Sequence, residues 1–145
     1  MTATSFEAAL KTIQSAVGKM GGVTKCEIGE PSRGYQSGMV LVVPMSGSVP
    51  ETTLTNPRET HHVKLIRLEK AFQEPAVDTE LKLEQWRAEV MEDINGDFTL
   101  GGNVAYILPT QTTWEWGHVT YETTLYRYVD ISLNFRIDPA GTYTP

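Results

Sequence analysis

The first apolar pattern along the chain is helical. Phe6, Ala9, Leu10, Ile13, Val17 and Met20 recur at three- and four-residue spacing, and this stripe predicts a helix over Ser5–Met20. Thr4 with Glu7 fits a capping box at its start, and Gly21-Gly22 stops it. Strand-forming residues follow. Val23–Ile28 reads as a short strand, and Pro31-Ser32-Arg33-Gly34 opens a polar loop that runs to Gly38. Met39–Val43 is a continuous apolar run, as expected of a strand buried on both faces, closed by Pro44 and Ser46-Gly47. Ser46–Pro57 reads as a long loop that carries the isolated apolar residues Val49 and Leu54. Thr60–Leu68 is the next strand, with Val63, Leu65, Ile66 and Leu68 as its apolar content.

A second helix is predicted from Pro75 or Asp78 to Asn95-Gly96. Thr79, Leu83, Trp86, Val90 and Ile94 share the face expected to pack on the sheet, and Asp78, Lys82, Gln85, Glu89 and Glu92 lie opposite. Val77, Leu81 and Ala88 fall on a flank, where they pack peripherally or meet a neighbouring subunit. The last third reads as antiparallel strands, with Val104–Leu108, then Thr112–Trp116, then Leu125–Ile137. In that final strand Leu125, Val129, Ile131, Leu133, Phe135 and Ile137 share one face, broken by Arg127. Tyr126, Tyr128, Asp130, Ser132, Asn134 and Arg136 form the other. Such a strand spans roughly 40 Å, against a radius of gyration of about 15 Å for a globule of this size. One end is therefore expected to project or bend. The order α-β-β-β-α-β-β-β, in one domain over residues 1–145, describes an α+β fold: a mainly antiparallel sheet with two helices packed on it.

Charge refines this picture. The net charge is -6, and the stretch Glu69–Asp97, with its nine acids and three bases, accounts for all of it. An acidic chain is poorly suited to binding nucleic acid by phosphate neutralisation, and Arg58, Lys64 and Arg67 make at most a small basic patch. The N-terminus has no signal-peptide pattern, and no stretch reaches the length of a membrane helix. With the lone Cys26, this points to a protein folded in a reducing cytoplasm.

Candidate chemistry is sparse. His61 and His62 are adjacent in a strand and should point to opposite faces, His118 is remote, and no metal-ligand spacing is present. Ser46-Gly47-Ser48 lacks the context of a nucleophile elbow, and Gly101-Gly102 that of a phosphate loop. Cys26 reads as a small hydrophobe. The expectation is a protein without catalytic residues, metal or cofactor. The aromatic cluster of Trp114, Trp116, Tyr121, Tyr126 and Tyr128 fits sheet packing or a protein interface better than base stacking.

The order of elements carries a resemblance. A first helix ends in Gly21-Gly22, and a second, Leu83–Ile94, ends in Asn95-Gly96. Strands follow, closing with Tyr-x-Tyr-x-Asp-x-x-Leu-x-Phe-x-Ile over Tyr126–Ile137. From Phe6 to Ile137 the chain resembles the tail terminator, or tail completion, proteins of long-tailed siphophages. The resemblance implies a non-enzymatic virion protein, assembled in the host cytoplasm and placed at the head–tail interface. It would form a ring, usually a hexamer, that caps the tail tube and stops its polymerisation. Its partners would be further copies of itself, the tail tube protein and the head connector or neck protein, with DNA only as passing cargo. On this reading Val49, Leu54, Val77, Leu81, Ala88, Trp114, Trp116, Tyr126 and Tyr128 are candidates for the subunit or tube interface. Glu80, Glu84, Glu89 and Glu92 would form an acidic face toward the lumen or the outside. A head–tail joining protein or a minor tail protein is the alternative, and a small enzyme or ligand-binding domain is a third class.

Overall fold

A computed structural model of the chain describes residues 5–30, 34–48, 59–72, 76–96, 106–107 and 112–137. Its elements are α1 (Ser5–Gly18), β1 (Lys25–Ile28), β2 (Met39–Ser48), β3 (Glu59–Lys70), α2 (Ala76–Gly96), β4 (Tyr106–Ile107), β5 (Thr113–Tyr121) and β6 (Thr124–Ile137). The fold is α+β. One sheet runs β1-β2-β3-β6, and β6 is flanked on its far edge by β5 along Thr124–Ser132 and by β4 at Phe135 and Arg136. Among the described residues only β1 and β2 pair in parallel; the other pairs are antiparallel.

Both helices lie on one face of this sheet. The stripe predicted for α1 is buried at Ala9, Leu10, Ile13 and Val17, and Met20 beyond the helix end is buried with it. The helix stops at Gly18 rather than Met20, because the Met20 N–H donates to the Val17 carbonyl and tightens the last turn. The α2 stripe of Thr79, Leu83, Trp86, Val90 and Ile94 is buried throughout. Beneath the helices the sheet presents Val40 and Val42, Val63 and Leu65, and Val129, Ile131, Leu133, Phe135 and Ile137. Alternation places Met39, Leu41, Leu68 and Tyr126 on the other face, where they form a second, smaller cluster.

Three strands differ from their sequence patterns. Ser46–Ser48 belongs to β2, where it pairs with Thr60–His62, and is not the start of a loop. A bulge between Pro44 and Ser46 lets the ladder resume beyond a residue that has no N–H. β5 continues past Trp116 to Tyr121, because its register with β6 holds to Tyr121↔Thr124 across a two-residue turn. Glu122 supplies the left-handed backbone of that turn (φ 56°), so no Asn-Gly signal marked the hairpin. Of Val104–Leu108, Tyr106 and Ile107 are described as strand, and Ile107 is buried. Thr4, Pro31–Arg33, Val49, Leu54, Arg58 and Gly101-Gly102 lie outside the described residues.

The closing strand does not project within the described residues. Tyr126–Ile137 pairs with Lys70–Glu59 along its whole length, so β3 matches it residue for residue. Gly117 of β5 faces Tyr128 of β6, whose hydroxyl would lie 2.5 Å from a Cβ at that position. Glycine is required there because the phenol ring lies across the strand.

Arg67, expected in a surface patch, is 2% exposed. It sits on the helix face of β3, where its Nη2 donates to Glu69 Oε1 at 2.7 Å and to the Gly22 carbonyl at 3.3 Å. Ser37 Oγ donates to the second oxygen of Glu69 at 2.5 Å. Arg67→Met alone should therefore destabilise the fold by about 3 to 5 kcal/mol, because Glu69 stays buried without its cation. Adding Glu69→Leu should recover most of that loss, which urea denaturation of the single and double variants would measure.

Candidate subunit interface

A helix that packs on a sheet with one stripe leaves the opposite side to solvent, where charged residues are the norm. α2 departs from this. Counted at 100° per residue, Val77, Leu81 and Ala88 fall nearly opposite the buried stripe, so they form the outward ridge rather than a flank. Val77 is 60% and Leu81 53% exposed, and Ala88 is exposed as well. Phe72, just before the helix, is 90% exposed with a left-handed backbone (φ 65°). This group of apolar side chains has nothing over it among the described residues, and such patches mark interfaces.

The aromatic residues divide between the two faces. Trp114 and Trp116 pair with Ile131 and Val129 and so belong to the helix face, at its β5 margin. The Arg87 guanidinium of α2 lies 4.1 Å from the Trp114 ring centre, and Arg127 lies 5.3 Å from that of Trp116. Trp114 remains 43% exposed, whereas Trp116 is half-buried against the core. Tyr126 and Tyr128 occupy the opposite face. Tyr126 is 3% exposed, and its hydroxyl donates to the Tyr35 carbonyl at 2.9 Å. Burial raises its pKa, with the Glu122 charge adding to the effect. Its surface is committed to the chain's own packing, while Tyr128 is half-buried.

The acidic residues of α2 do not form one face. Glu80 takes a two-point hydrogen bond from Arg127, at 2.7 and 3.3 Å, which explains why an arginine interrupts the apolar alternation of β6. Glu84 holds Arg87 by a similar two-point contact, and that hydrogen bond lowers the glutamate's pKa and raises the arginine's. Both pairs lie on the β5 side of the helix. Glu89 and Glu92 are exposed elsewhere, and Glu89 lines a cleft with Gly22, Arg67, Lys82 and Gln85. The cost of single-sign crowding is thus relieved at two of the four positions.

No family model matches the chain, and no curated protein is similar to it.

His61 stacks on Phe6 at 4.2 Å between ring centres and meets Glu59 at 3.0 Å. His62, the next residue, takes the other face of β3. Among the described residues no three metal-binding side chains gather at one point. No helix there is long and apolar enough to cross a membrane.

Cys26 is half-buried on β1 beside the core, and burial pushes its thiol from 9.0 up to about 11. The unfolded chain gives up this proton first. The thiol's contribution to stability is therefore complete below about pH 9 and is lost as the pH rises through about 11. Urea midpoints measured from pH 8 to 11 should fall in the native chain and fall less in Cys26→Ala. Equal declines would assign the transition to another group.

Proposed function

We propose that this chain is a ring-forming tail terminator subunit, which caps a phage tail tube, stops its growth and joins it to the head connector. The observation that carries the reading is the apolar outward ridge of α2. Val77, Leu81 and Ala88 stand where an isolated monomer would have charge, and burying Val77 and Leu81 against a neighbour would gain about 1.5 to 3 kcal/mol for each side chain fully covered. The order of elements and the alternating closing strand support the same reading through the resemblance to tail terminators.

The sheet contributes a second surface. β5 forms an outer edge nine residues long, and its partner among the described residues is β6 alone. The opposite edge is the short β1, four residues long, beyond which β2 carries Pro44. An unbroken edge at one end of a sheet and a protected edge at the other favour head-to-tail contacts, which close into rings when the rotation allows. Trp114 at the β5 margin would be the aromatic anchor of such a contact. With net charge -6 per copy, a ring of six would carry about -36, and an acidic wall lets DNA pass without sticking.

Leu81→Glu, alone or with Val77→Glu, should leave the monomer folded and lower the native mass of the assembly, as read by light scattering on purified protein. An unchanged mass would remove the ridge from the interface. Added to growing tail tubes and viewed by electron microscopy, the native protein should cap one end and halt elongation. A head–tail joining protein would bind without stopping growth.

A further inference from the structure

The sheet face away from the helices holds a cavity of about 260 Å³, on the side opposite the α2 ridge. Leu41 of β2, Ile66 of β3 and Val119 of β5 make it apolar, Tyr35 and Tyr128 add aromatic rings, and Asp130 of β6 also lines it. Asp130 is unusual here. It is 8% exposed, and one carboxylate oxygen, Oδ2, takes the Lys64 ammonium at 3.1 Å. The other, Oδ1, is buried and has no donor among the described residues. A buried carboxylate oxygen without a donor is costly, and such atoms are satisfied in most proteins.

The charges around it point to what is missing. Glu115 on β5 stands directly opposite Asp130 in the sheet register and is exposed. Two carboxylates thus share this part of the face with one lysine, and like charges opposite one another across a strand pair repel. His118 of β5 also borders the cavity. The unmet demand is for a cation that brings N–H donors and tolerates apolar and aromatic surroundings. A guanidinium fits better than an ammonium. It is planar, stacks on tyrosine rings, is weakly hydrated and donates in a fixed fork.

We propose that this cavity receives an arginine side chain from a partner chain, with Asp130 as the acceptor and Tyr35 and Tyr128 as the flanking rings. The cavity has room for a guanidinium and its neighbouring methylenes, and the negative charge of the whole chain draws a basic partner toward it. Lys64 is the internal competitor for the same carboxylate. The inference does not depend on the tail terminator reading, because any partner with an accessible arginine satisfies it.

Methylguanidinium chloride, titrated at constant ionic strength and followed by amide chemical shifts, should bind saturably with a Kd of roughly millimolar order, as a single small group allows. Tetramethylammonium chloride, a cation without N–H donors, should bind at least tenfold more weakly. Asp130→Asn should weaken methylguanidinium at least tenfold, whereas Lys64→Met, by freeing the carboxylate, should tighten it several-fold. The peptide acetyl-Gly-Arg-Gly-amide should bind at least as well as methylguanidinium. The proposal is overturned if methylguanidinium does not saturate, if the two cations bind alike, or if Lys64→Met weakens binding. Failure of the peptide to bind would equally overturn the assignment to an arginine side chain. Should Asp130→Asn not fold, the comparison of cations and the Lys64→Met variant decide the matter without it.

Discussion

Everything in this fold hangs on the antiparallel ladder between β3 and β6, twelve residue pairs from Glu59↔Ile137 to Lys70↔Tyr126. Each pair places two side chains on the same face, so one register fixes both clusters at once. Val63 with Leu133 and Leu65 with Ile131 meet the helices. Leu68 with Tyr128 and Lys70 with Tyr126 meet the other side. A slip of one residue would exchange these sets and put Arg67 and Glu69 where apolar residues now lie. The buried ion pair therefore belongs to the same constraint. It is held only while Gly22 and Glu69 accept from the guanidinium and Ser37 donates to the second oxygen of Glu69.

Two helices on one face give two layers and leave the second face of the sheet to other cover. Among the described residues, that cover is the turn around Tyr35, which packs on Tyr121 and Tyr126 with ring centres 4.5 and 5.8 Å apart. The cluster beneath is buried close to this turn and gives way to the cavity at Asp130 and the polar end of β6. A single-sided sheet thus separates its surfaces by chemistry. The helix side offers an apolar ridge and a tryptophan margin, the open side an acidic, aromatic-walled cavity, and β5 an edge that has no strand beyond it among the described residues.

Periodicity made much of this legible. The stripes Phe6–Met20 and Thr79–Ile94, and the alternation Val129–Ile137, recur at spacings set by helix and strand geometry alone, and they lie where those spacings put them. His61 and His62 were separable for the same reason. The candidate interface was legible in part. Val77, Leu81 and Ala88 stood out as apolar residues off the core stripe, and the helical spacing itself sets them opposite that stripe, on the outward ridge and not on a flank. Tyr126 stood out as an aromatic on a polar-looking face, yet Tyr35, remote in sequence, buries it. Asp130 carried no local signal at all, since its importance comes from Lys64, Glu115 and Tyr35 on other segments.

By itself, then, the sequence determined the number and kind of elements, the composition of the core and the identity of the long closing strand. These depend on interactions within a few residues of one another along the chain, where spacing is information enough. The tertiary structure alone decided that β3 would pair with β6 from Tyr126 to Ile137 and that Arg67 would be drawn inward to Glu69. It also paired Glu80 with Arg127 and, among the described residues, left one carboxylate oxygen of Asp130 without a donor. Each of these depends on what a distant strand or helix places alongside, and a charged side chain has no fixed meaning until its neighbours settle whether water or a partner will solvate it.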